Sequence, residues 1–185
     1  SRVSQSLPVL PLPAMIARGK LVLREWRESD IPQLLPLRND VPTQLQLMTR
    51  PRPNSAASVR DWLTSKSKQS EVVLFVIAAQ ADDSVLGYLQ LNHIDAVNRH
   101  ASLGICLAAS AQGQGHGRAA CEAAFAYASE TLCLRKITLE VLAENTRAIA
   151  LYQKLEFRHV GTLVGHYLQD NRWHDVVLME RMLAP

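Results

Sequence analysis

The chain has 185 residues, of which 48% are hydrophobic and 20% are charged, and its formal net charge is +3. This composition fits one compact domain with a sizeable apolar core. A net charge this small gives no reason to expect nucleic acid as a partner. No uninterrupted apolar run reaches membrane-spanning length, so no membrane partner is expected either.

The cysteines bear on the compartment and on metal binding. Cys106, Cys121 and Cys133 are odd in number and fall in apolar stretches of predicted strand and helix. They are typical of reduced core thiols, and their spacing matches neither a disulfide framework nor a zinc site. We therefore expect a cytoplasmic protein that holds no metal.

The N-terminal segment, residues 1–17, is predicted to be an arm, extended or disordered, because prolines interrupt its apolar stretch. Residues 18–185 are predicted to form a single domain. Its first half is predicted to contain a strand over residues 20–26, a helix over 31–38, an irregular stretch over 41–53, a helix over 55–68, and strands over 71–79, 85–94 and 100–108.

The second half is predicted to contain a helix ending near residue 130, a strand over 136–142, a helix over 145–156, and strands over 158–164 and 173–182. Gly87, inside the strand over 85–94, indicates a bulge or a close backbone approach. The last strand is expected to be exposed, which makes a homodimer plausible by pairing with a second copy.

A glycine-rich loop lies between the strand over 100–108 and the helix that follows it. Residues 112–117 read Q-G-Q-G-H-G, and no acidic residue lies between Ile105 and Gly117. Glycines let backbone amides point inward, and the first amides of a helix lack internal partners, so this pattern predicts an anion site. A tight turn with no ligand is the plainer interpretation of the same glycines.

Two known phosphate-binding loops fit this stretch poorly. A Walker loop needs lysine and then serine or threonine after its last glycine, and here Arg118 and Ala119 follow Gly117. A dinucleotide fingerprint needs a third glycine at position 118 and a place near the start of a βαβ unit. Arg118 and more than half of the chain before the loop disfavour that interpretation.

Two motifs carry a resemblance to a known family. Gln112, Gly115 and Gly117 match the pattern Gln/Arg-x-x-Gly-x-Gly, and residues 145–157 match N-x-x-A-x-x-x-Y-x-x-x-G-F, except that Glu156 stands where glycine is usual. In this order they resemble the GNAT superfamily of N-acetyltransferases, closest to its ribosomal-protein N-acetyltransferase branch, over about residues 20–183. The resemblance implies an α/β fold with a GNAT-like central sheet, which is mixed, mostly antiparallel, splayed at its middle and flanked by helices on both faces.

The resemblance also implies a site for acetyl-coenzyme A as co-substrate. Backbone groups of the strand before the loop would pair with the pantetheine arm, loop amides would bind the pyrophosphate, and the Asn145 side-chain amide would also hydrogen-bond the arm. Asn145 could instead be only a helix cap, and Arg118 only a solvated helix residue. The implied cofactor-binding residues are Ile105, Cys106, Leu107, Gln112, Gly113, Gln114, Gly115, His116, Gly117, Arg118, Asn145, Ala148 and Tyr152.

Two catalytic residues are implied in the same way. Tyr152 would be the general acid that protonates the departing thiolate, since a phenol stays neutral at working pH. Glu140 matches a glutamate that acts as base in ribosomal-protein alanine acetyltransferases. An exposed strand glutamate, a histidine or a chain of waters remain alternatives for the base; the histidines considered are His93, His100, His166 and His174. Ser102 stands where related sequences often carry glutamate, so that candidate is lost.

The function implied is acetyl transfer to a primary amine by direct attack in a ternary complex, with a protein N-terminus as the first acceptor. Small-molecule amines such as amino sugars or polyamines are the alternative, because residues 91–94 and 161–171 also resemble spermidine acetyltransferases. Against a polyamine, arginines outnumber the single acid, Asp40, in the segment expected to line the acceptor pocket; they are Arg38, Arg50, Arg52 and Arg60. A non-catalytic sensor of acyl-coenzyme A is the rival from another class.

Overall fold

The structure is a computed structural model that describes residues 16–184. Most of the predicted arm, residues 1–15, lies outside the described residues. The predicted boundary after residue 17 is wrong, because Ile16 and Ala17 pair in antiparallel register with Leu23 and Val22. The domain therefore includes a first short strand that the prolines before it concealed.

Within the described residues the chain forms eight strands and five α-helices. The strands are β1 (Ile16–Arg18), β2 (Leu21–Arg24), β3 (Val73–Ala79), β4 (Val85–Asp95), β5 (His100–Leu107), β6 (Lys136–Leu142), β7 (Arg158–Gln169) and β8 (Arg172–Met182). The helices are α1 (Ile31–Asn39), α2 (Val41–Gln46), α3 (Ala56–Lys68), α4 (His116–Glu130) and α5 (Thr146–Lys154).

The strands form one sheet in the order β1-β2-β3-β4-β5-β6-β8-β7. Neighbouring strands within the described chain are antiparallel except for β5 and β6, which run parallel. The predicted mixed, mostly antiparallel sheet is confirmed. Its central parallel pair comes from the α4 crossover, since parallel neighbours cannot be joined by a hairpin.

Two apolar clusters cover the two faces of this sheet. On one face Phe125 of α4 and Tyr152 of α5 belong to the same apolar cluster as Ile137 and Val177 of the strands. On the other face α1 and α3 pack their apolar side chains against Val76, Tyr88 and Cys106; those side chains are Ile31, Leu34, Leu37, Val59 and Leu63. The prediction of helices on both faces is confirmed, and none of the helices in the described residues has both the length and the apolar character that a bilayer crossing needs.

The stretch predicted to be irregular between α1 and α3 contains the helix α2. Its start is capped by Asp40, whose carboxylate accepts a hydrogen bond from the Thr43 amide at 3.1 Å. Pro42 lies in the first turn, where the missing amide hydrogen costs nothing because no intrahelical acceptor exists there. Prolines were therefore a poor guide to irregularity in this stretch.

The C-terminal hairpin is longer than predicted. β7 continues five residues past Val164, through a register shift at which the Asp175 carboxylate accepts a hydrogen bond from the Gly165 amide at 2.8 Å. The expectation that the last strand lies at an exposed edge is wrong, because β8 is hydrogen-bonded to both β6 and β7. The sheet edge at this end is β7, so a homodimer formed by strand pairing at this end stays a prediction that would use β7 in place of β8.

Candidate active site

The central feature of the site is an opening between the two parallel strands. β5 and β6 pair only through three residue pairs, the last of which joins Ser102 to Thr138. Beyond this pair β5 stays bonded to β4 as far as Leu107, and β6 stays bonded to β8 as far as Leu142. The facing edges of both strands are therefore free of sheet partners, and a cleft of about 1150 Å³ occupies the gap.

The glycine-rich loop forms the mouth of this cleft. Gly113 and Gly115 have φ angles of +75° and +80°, a region that side chains rarely adopt. Gly115 is also the residue that precedes α4, so no side chain covers the first amides of that helix. A β-carbon on Gly117 would lie 3.2 Å from a methyl carbon of Leu151, so glycine there permits close packing of α4 on α5. The positive φ angles and the missing side chains leave the loop backbone open to a ligand, as an anion site requires.

A cation that sequence analysis missed lies over this loop. Arg147, in the first turn of α5, donates a hydrogen bond from Nη1 to the Gln112 side-chain oxygen at 3.0 Å. Its other terminal nitrogen lies 3.5 Å from the position of a β-carbon on Gly113. The motif leaves position 147 free to vary, so only the packing of α5 beside the loop reveals this residue.

Other side chains of the loop form hydrogen bonds or ion pairs with residues nearby in the sequence. Gln112 donates to the Leu107 carbonyl oxygen at 3.2 Å, and Gln114 donates to the Ser110 carbonyl oxygen at 2.8 Å. Arg118 pairs with Glu122 one turn later, at 3.0 Å, and still lines the cleft. Among the predicted cofactor residues, Gln114 and His116 are the two that do not line the cleft; the others all do.

Asn145 caps α5. Its side-chain oxygen accepts a hydrogen bond from the Ala148 amide at 3.2 Å, and both residues line the cleft. The cap uses the oxygen and leaves the side-chain NH₂ group without a hydrogen bond to the described residues. The plainer interpretation, a helix cap, is therefore present in the structure, and it leaves a donor available at the cleft wall.

Tyr152 reaches the cleft from the face that α5 covers. Its side chain is 8% exposed, belongs to the apolar cluster of that face and lines the cleft. Burial raises the pKa of the phenol, with a smaller contribution from the neighbouring thiol of Cys121. The hydroxyl consequently stays protonated across the physiological pH range, as a proton donor must.

Glu140 enters the cleft from the opposite face. Residues 137, 139 and 141 of β6 are buried under α4 and α5, so the alternation of a strand directs Glu140 to the other side, where it is exposed. Glu180 on the neighbouring strand also lines the cleft, but it is paired with Lys136 and Arg158. Glu140 has no ion-pair partner among the described residues.

The lining that α2 and the residues next to the opening give the cleft consists mainly of neutral groups. These lining residues are Thr43, Gln46, Leu47, Met48, Asn92, His93 and Ser102. The arginines expected to repel a cationic acceptor do not line the cleft. Arg38 stacks on Trp62 at 4.0 Å, Arg50 bonds the Leu168 carbonyl oxygen, and Arg60 pairs with Glu28.

The cysteines offer no activated nucleophile. Cys106 lines the cleft, and burial raises the pKa of its thiol to about 11. Cys121 lies on the buried face of α4, where burial raises the pKa of its thiol to about 12. Cys133 is exposed, which corrects the expectation of three core thiols, because it lies in the turn between α4 and β6 with a φ of +55°.

Comparison with known proteins gives three kinds of match. The family model described as an acetyltransferase (GNAT) domain matches residues 20–158. A spermidine N(1)-acetyltransferase of Vibrio cholerae is 32% identical over 103 residues, which cover 56% of this chain and 60% of that relative. A putative ribosomal N-acetyltransferase of Bacillus subtilis is 28% identical over 127 residues, which cover 68% of this chain and 69% of that relative.

A solved structure extends the likeness to most of the chain. The crystal structure of a spermidine N-acetyltransferase from Vibrio cholerae, in complex with CoA and spermine, superposes with a TM-score of 0.82 at 26% identity. The superposition covers 89% of this chain and 96% of that chain. The sequence match to the curated Vibrio cholerae relative spans only about three fifths of its length, so the structural match supplies the likeness over the remainder.

Proposed function

The chain belongs to the GNAT acetyltransferase family, and we propose that it transfers the acetyl group of acetyl-coenzyme A to a primary amine by direct attack in a ternary complex. The observation that carries the proposal is the opening between β5 and β6, whose cleft extends from the Ser102–Thr138 pair to the glycine-rich loop. The cleft has free strand edges along the gap and a predicted anion site at its mouth. A long, flexible arm that ends in phosphates fits this combination.

The residues present fit acetyl-coenzyme A, which supplies a thioester whose carbonyl carbon is open to attack by an amine. The free amide and carbonyl of Ile105 and the free amide of Leu107 would bond the pantetheine arm, as a strand partner does; the Leu107 carbonyl oxygen already accepts a hydrogen bond from Gln112. The first amides of α4, together with Arg147, would bind the pyrophosphate. Asn145 would donate its free NH₂ group to the arm from the other wall.

The acid and the amine-binding side lie on opposite faces of the sheet. Tyr152 comes from the face covered by α4 and α5, while Glu140, Thr43 and Gln46 line the face toward α2. The gap in the sheet is the place where groups from both faces can meet. Tyr152 would give its proton to the departing sulfur, and the amine would approach from the α2 side.

For the acceptor we propose a small-molecule amine, with a polyamine as the first candidate. Spermidine acetyltransferases are among the relatives, and one solved relative is in complex with spermine. The arginines counted against a cationic acceptor lie outside the cleft lining, whereas Glu140, which has no ion-pair partner among the described residues, belongs to it. A peptide N-terminus is the second candidate, supported by the putative ribosomal N-acetyltransferase of Bacillus subtilis.

An acceptor panel tests the proposal. The protein would be mixed with acetyl-coenzyme A and, separately, with spermidine, spermine, monoamines, amino sugars and a peptide with a free N-terminus, and the products would be weighed by mass spectrometry. Thermal unfolding with coenzyme A, acetyl-coenzyme A, ATP and NAD would run in parallel, because a ligand of the native state raises the melting temperature.

The outcomes separate the rival functions. Stabilisation by both coenzyme A forms with acetylated spermidine as product supports the proposal in full. Acetylation of the peptide alone would keep the enzyme class and replace the acceptor. Stabilisation without any transfer would establish the sensor, and stabilisation by ATP or NAD alone would contradict the cofactor assignment.

A further inference from the structure

His93 makes a specific contact at the closed end of the opening. Its ring nitrogen Nδ1 lies 3.1 Å from the Ser102 hydroxyl oxygen. That hydroxyl donates its own hydrogen to the Asn92 carbonyl oxygen at 3.2 Å. Both side chains line the cleft, and Ser102 belongs to the last residue pair that joins β5 to β6.

This arrangement favours one tautomer of neutral His93. A serine hydroxyl has one hydrogen, and the Asn92 carbonyl oxygen can only accept it. With that hydrogen on the Asn92 carbonyl oxygen, Nδ1 of neutral His93 donates to the serine oxygen. Nε2 then carries the lone pair, and it has no hydrogen-bond partner among the described residues. An imidazole held in this way presents a basic nitrogen to its surroundings.

The backbone at His93 is held in an uncommon conformation. Its φ angle is +51°, and the register between β4 and β5 shifts between Asn92 and Asp95. Such a bulge breaks the strict alternation of the strand and redirects a side chain. A left-handed backbone is unfavourable for a residue with a β-carbon, and strain of this kind is often found at functional sites.

Resting on the proposed function, we propose that His93 is the general base that takes the first proton from the acceptor ammonium, and that Ser102 positions it. Nε2 accepts one proton and the amine becomes a nucleophile. The nitrogen–carbon bond forms, the carbon–sulfur bond breaks, and Tyr152 protonates the sulfur. The second proton of the former ammonium restores Tyr152, and the first leaves from His93 to water.

Ordinary side-chain basicity and local hydrogen bonds favour His93 over Glu140 as the base. Titratable groups that line this end of the cleft are His100 on β5, Glu140 on β6 and Glu180 on β8, whereas α2 contributes the uncharged Thr43 and Gln46. Imidazoles ordinarily titrate near neutral pH, while a glutamate side chain ordinarily has a pKa of about 4.3 and is a poor proton acceptor from an ammonium. No hydrogen bond within the described residues orients Glu140, whereas two orient the His93–Ser102 pair.

The decisive variant is His93→Asn. An asparagine side-chain nitrogen can keep the donor to Ser102, and asparagine tolerates the left-handed backbone, but it has no basic nitrogen. We expect kcat for spermidine to fall about 100-fold or more, with acetyl-coenzyme A binding unchanged within about twofold. The acidic limb of the kcat–pH profile should disappear. His166→Asn is the matched control, because His166 lies outside the cleft lining. It should keep the wild-type kcat and the acidic limb of the profile.

Ser102→Ala tests the positioning role without touching the base. Isotope-labelled imidazole NMR should show neutral His93 protonated on Nδ1 in the wild-type protein and a shift toward Nε2 in Ser102→Ala, with kcat reduced about tenfold. Glu140→Gln should retain the acidic limb. A full-rate His93→Asn enzyme, or loss of the limb in Glu140→Gln alone, would overturn this inference while the transferase stands. Wild-type protein that acetylates none of the amines would overturn the proposed function and this inference together.

Discussion

Gly87 of β4 and Cys106 of β5 lie so close that a β-carbon on Gly87 would be 2.0 Å from the Cys106 carbonyl oxygen. The neighbouring register shift in β4 confirms the bulge and close approach that the sequence indicates at this glycine. Cys106 and Leu107 in turn form the wall of the cleft. The position of that wall therefore depends on the absence of a side chain at residue 87.

Gly87→Ala should consequently weaken both the fold and the cofactor site. Backbone atoms cannot move aside cheaply, so we expect a loss of about 1–3 kcal/mol in the free energy of unfolding, measured by urea titration. Coenzyme A should also stabilise the variant less than the wild type. Gly161→Ala, where a β-carbon meets no atom within 4 Å, is the control. Equal losses in the two variants would contradict the account.

Tyr152→Phe tests the general acid. The phenol is buried with a raised pKa, so it is neutral at every pH of a normal assay and can donate its proton. Removing the hydroxyl should lower kcat about 100-fold or more, with little change in coenzyme A affinity. Tyr127→Phe is the control, because Tyr127 packs on Phe75 away from the cleft lining. Unchanged turnover in Tyr152→Phe would reject its role as acid.

Arg147→Gln tests the cation over the glycine-rich loop. The guanidinium is exposed and lies beside Gln112 and Gly113, where it would face a bound pyrophosphate. Calorimetric titration should show coenzyme A binding weakened about tenfold at low salt, with a smaller difference at high salt because exposed charges are screened. Arg52→Gln, outside the cleft lining, should bind like the wild type. A salt-independent affinity equal to wild type would remove Arg147 from the site.

Glu156→Gly tests the position where the motif departs from the usual glycine. Glu156 has a φ of +66°, which is unfavourable for any residue with a β-carbon. Its ion pair with Arg181 at 3.7 Å is largely exposed and contributes little. Glycine relieves the backbone strain but adds entropy to the unfolded chain. After that loss we expect the free energy of unfolding to rise by about 0.5–1 kcal/mol. Glu156→Gln keeps the strain and should be nearly neutral; stabilisation by Gln instead of Gly would contradict the strain argument.

The fold was predictable where local pattern and tertiary packing agree. The strands over β3, β4 and β6 are apolar runs bounded by turns, and the helices α4 and α5 carry strong local signals. The sequence analysis did not predict the short strand β1 or the helix α2, for two different reasons. β1 is defined by pairing with β2, which no local signal reveals, and α2 contains a proline that its first turn accepts.

The features of the site were likewise predictable where they depend on local backbone and not where they depend on tertiary packing. Glycine positions and the Asn145 cap are local requirements of the backbone, so a sequence motif retains them. Arg147 and the His93–Ser102 contact arise only when α5 packs beside the loop and β4 pairs with β5. The excess of arginines in the segment expected to line the acceptor pocket was a poor argument against a polyamine for the same reason. The charge of a segment does not say which way its side chains point.

Hydrogen exchange with and without coenzyme A would show whether the cofactor lies in the opening between β5 and β6. We expect coenzyme A to slow amide exchange in residues 103–107 and 113–118, because the free strand edge and the first amides of α4 gain partners. The outer groove lined by Arg18, Glu130 and Arg181 should exchange as before. Protection of that groove, with the opening unchanged, would contradict the account.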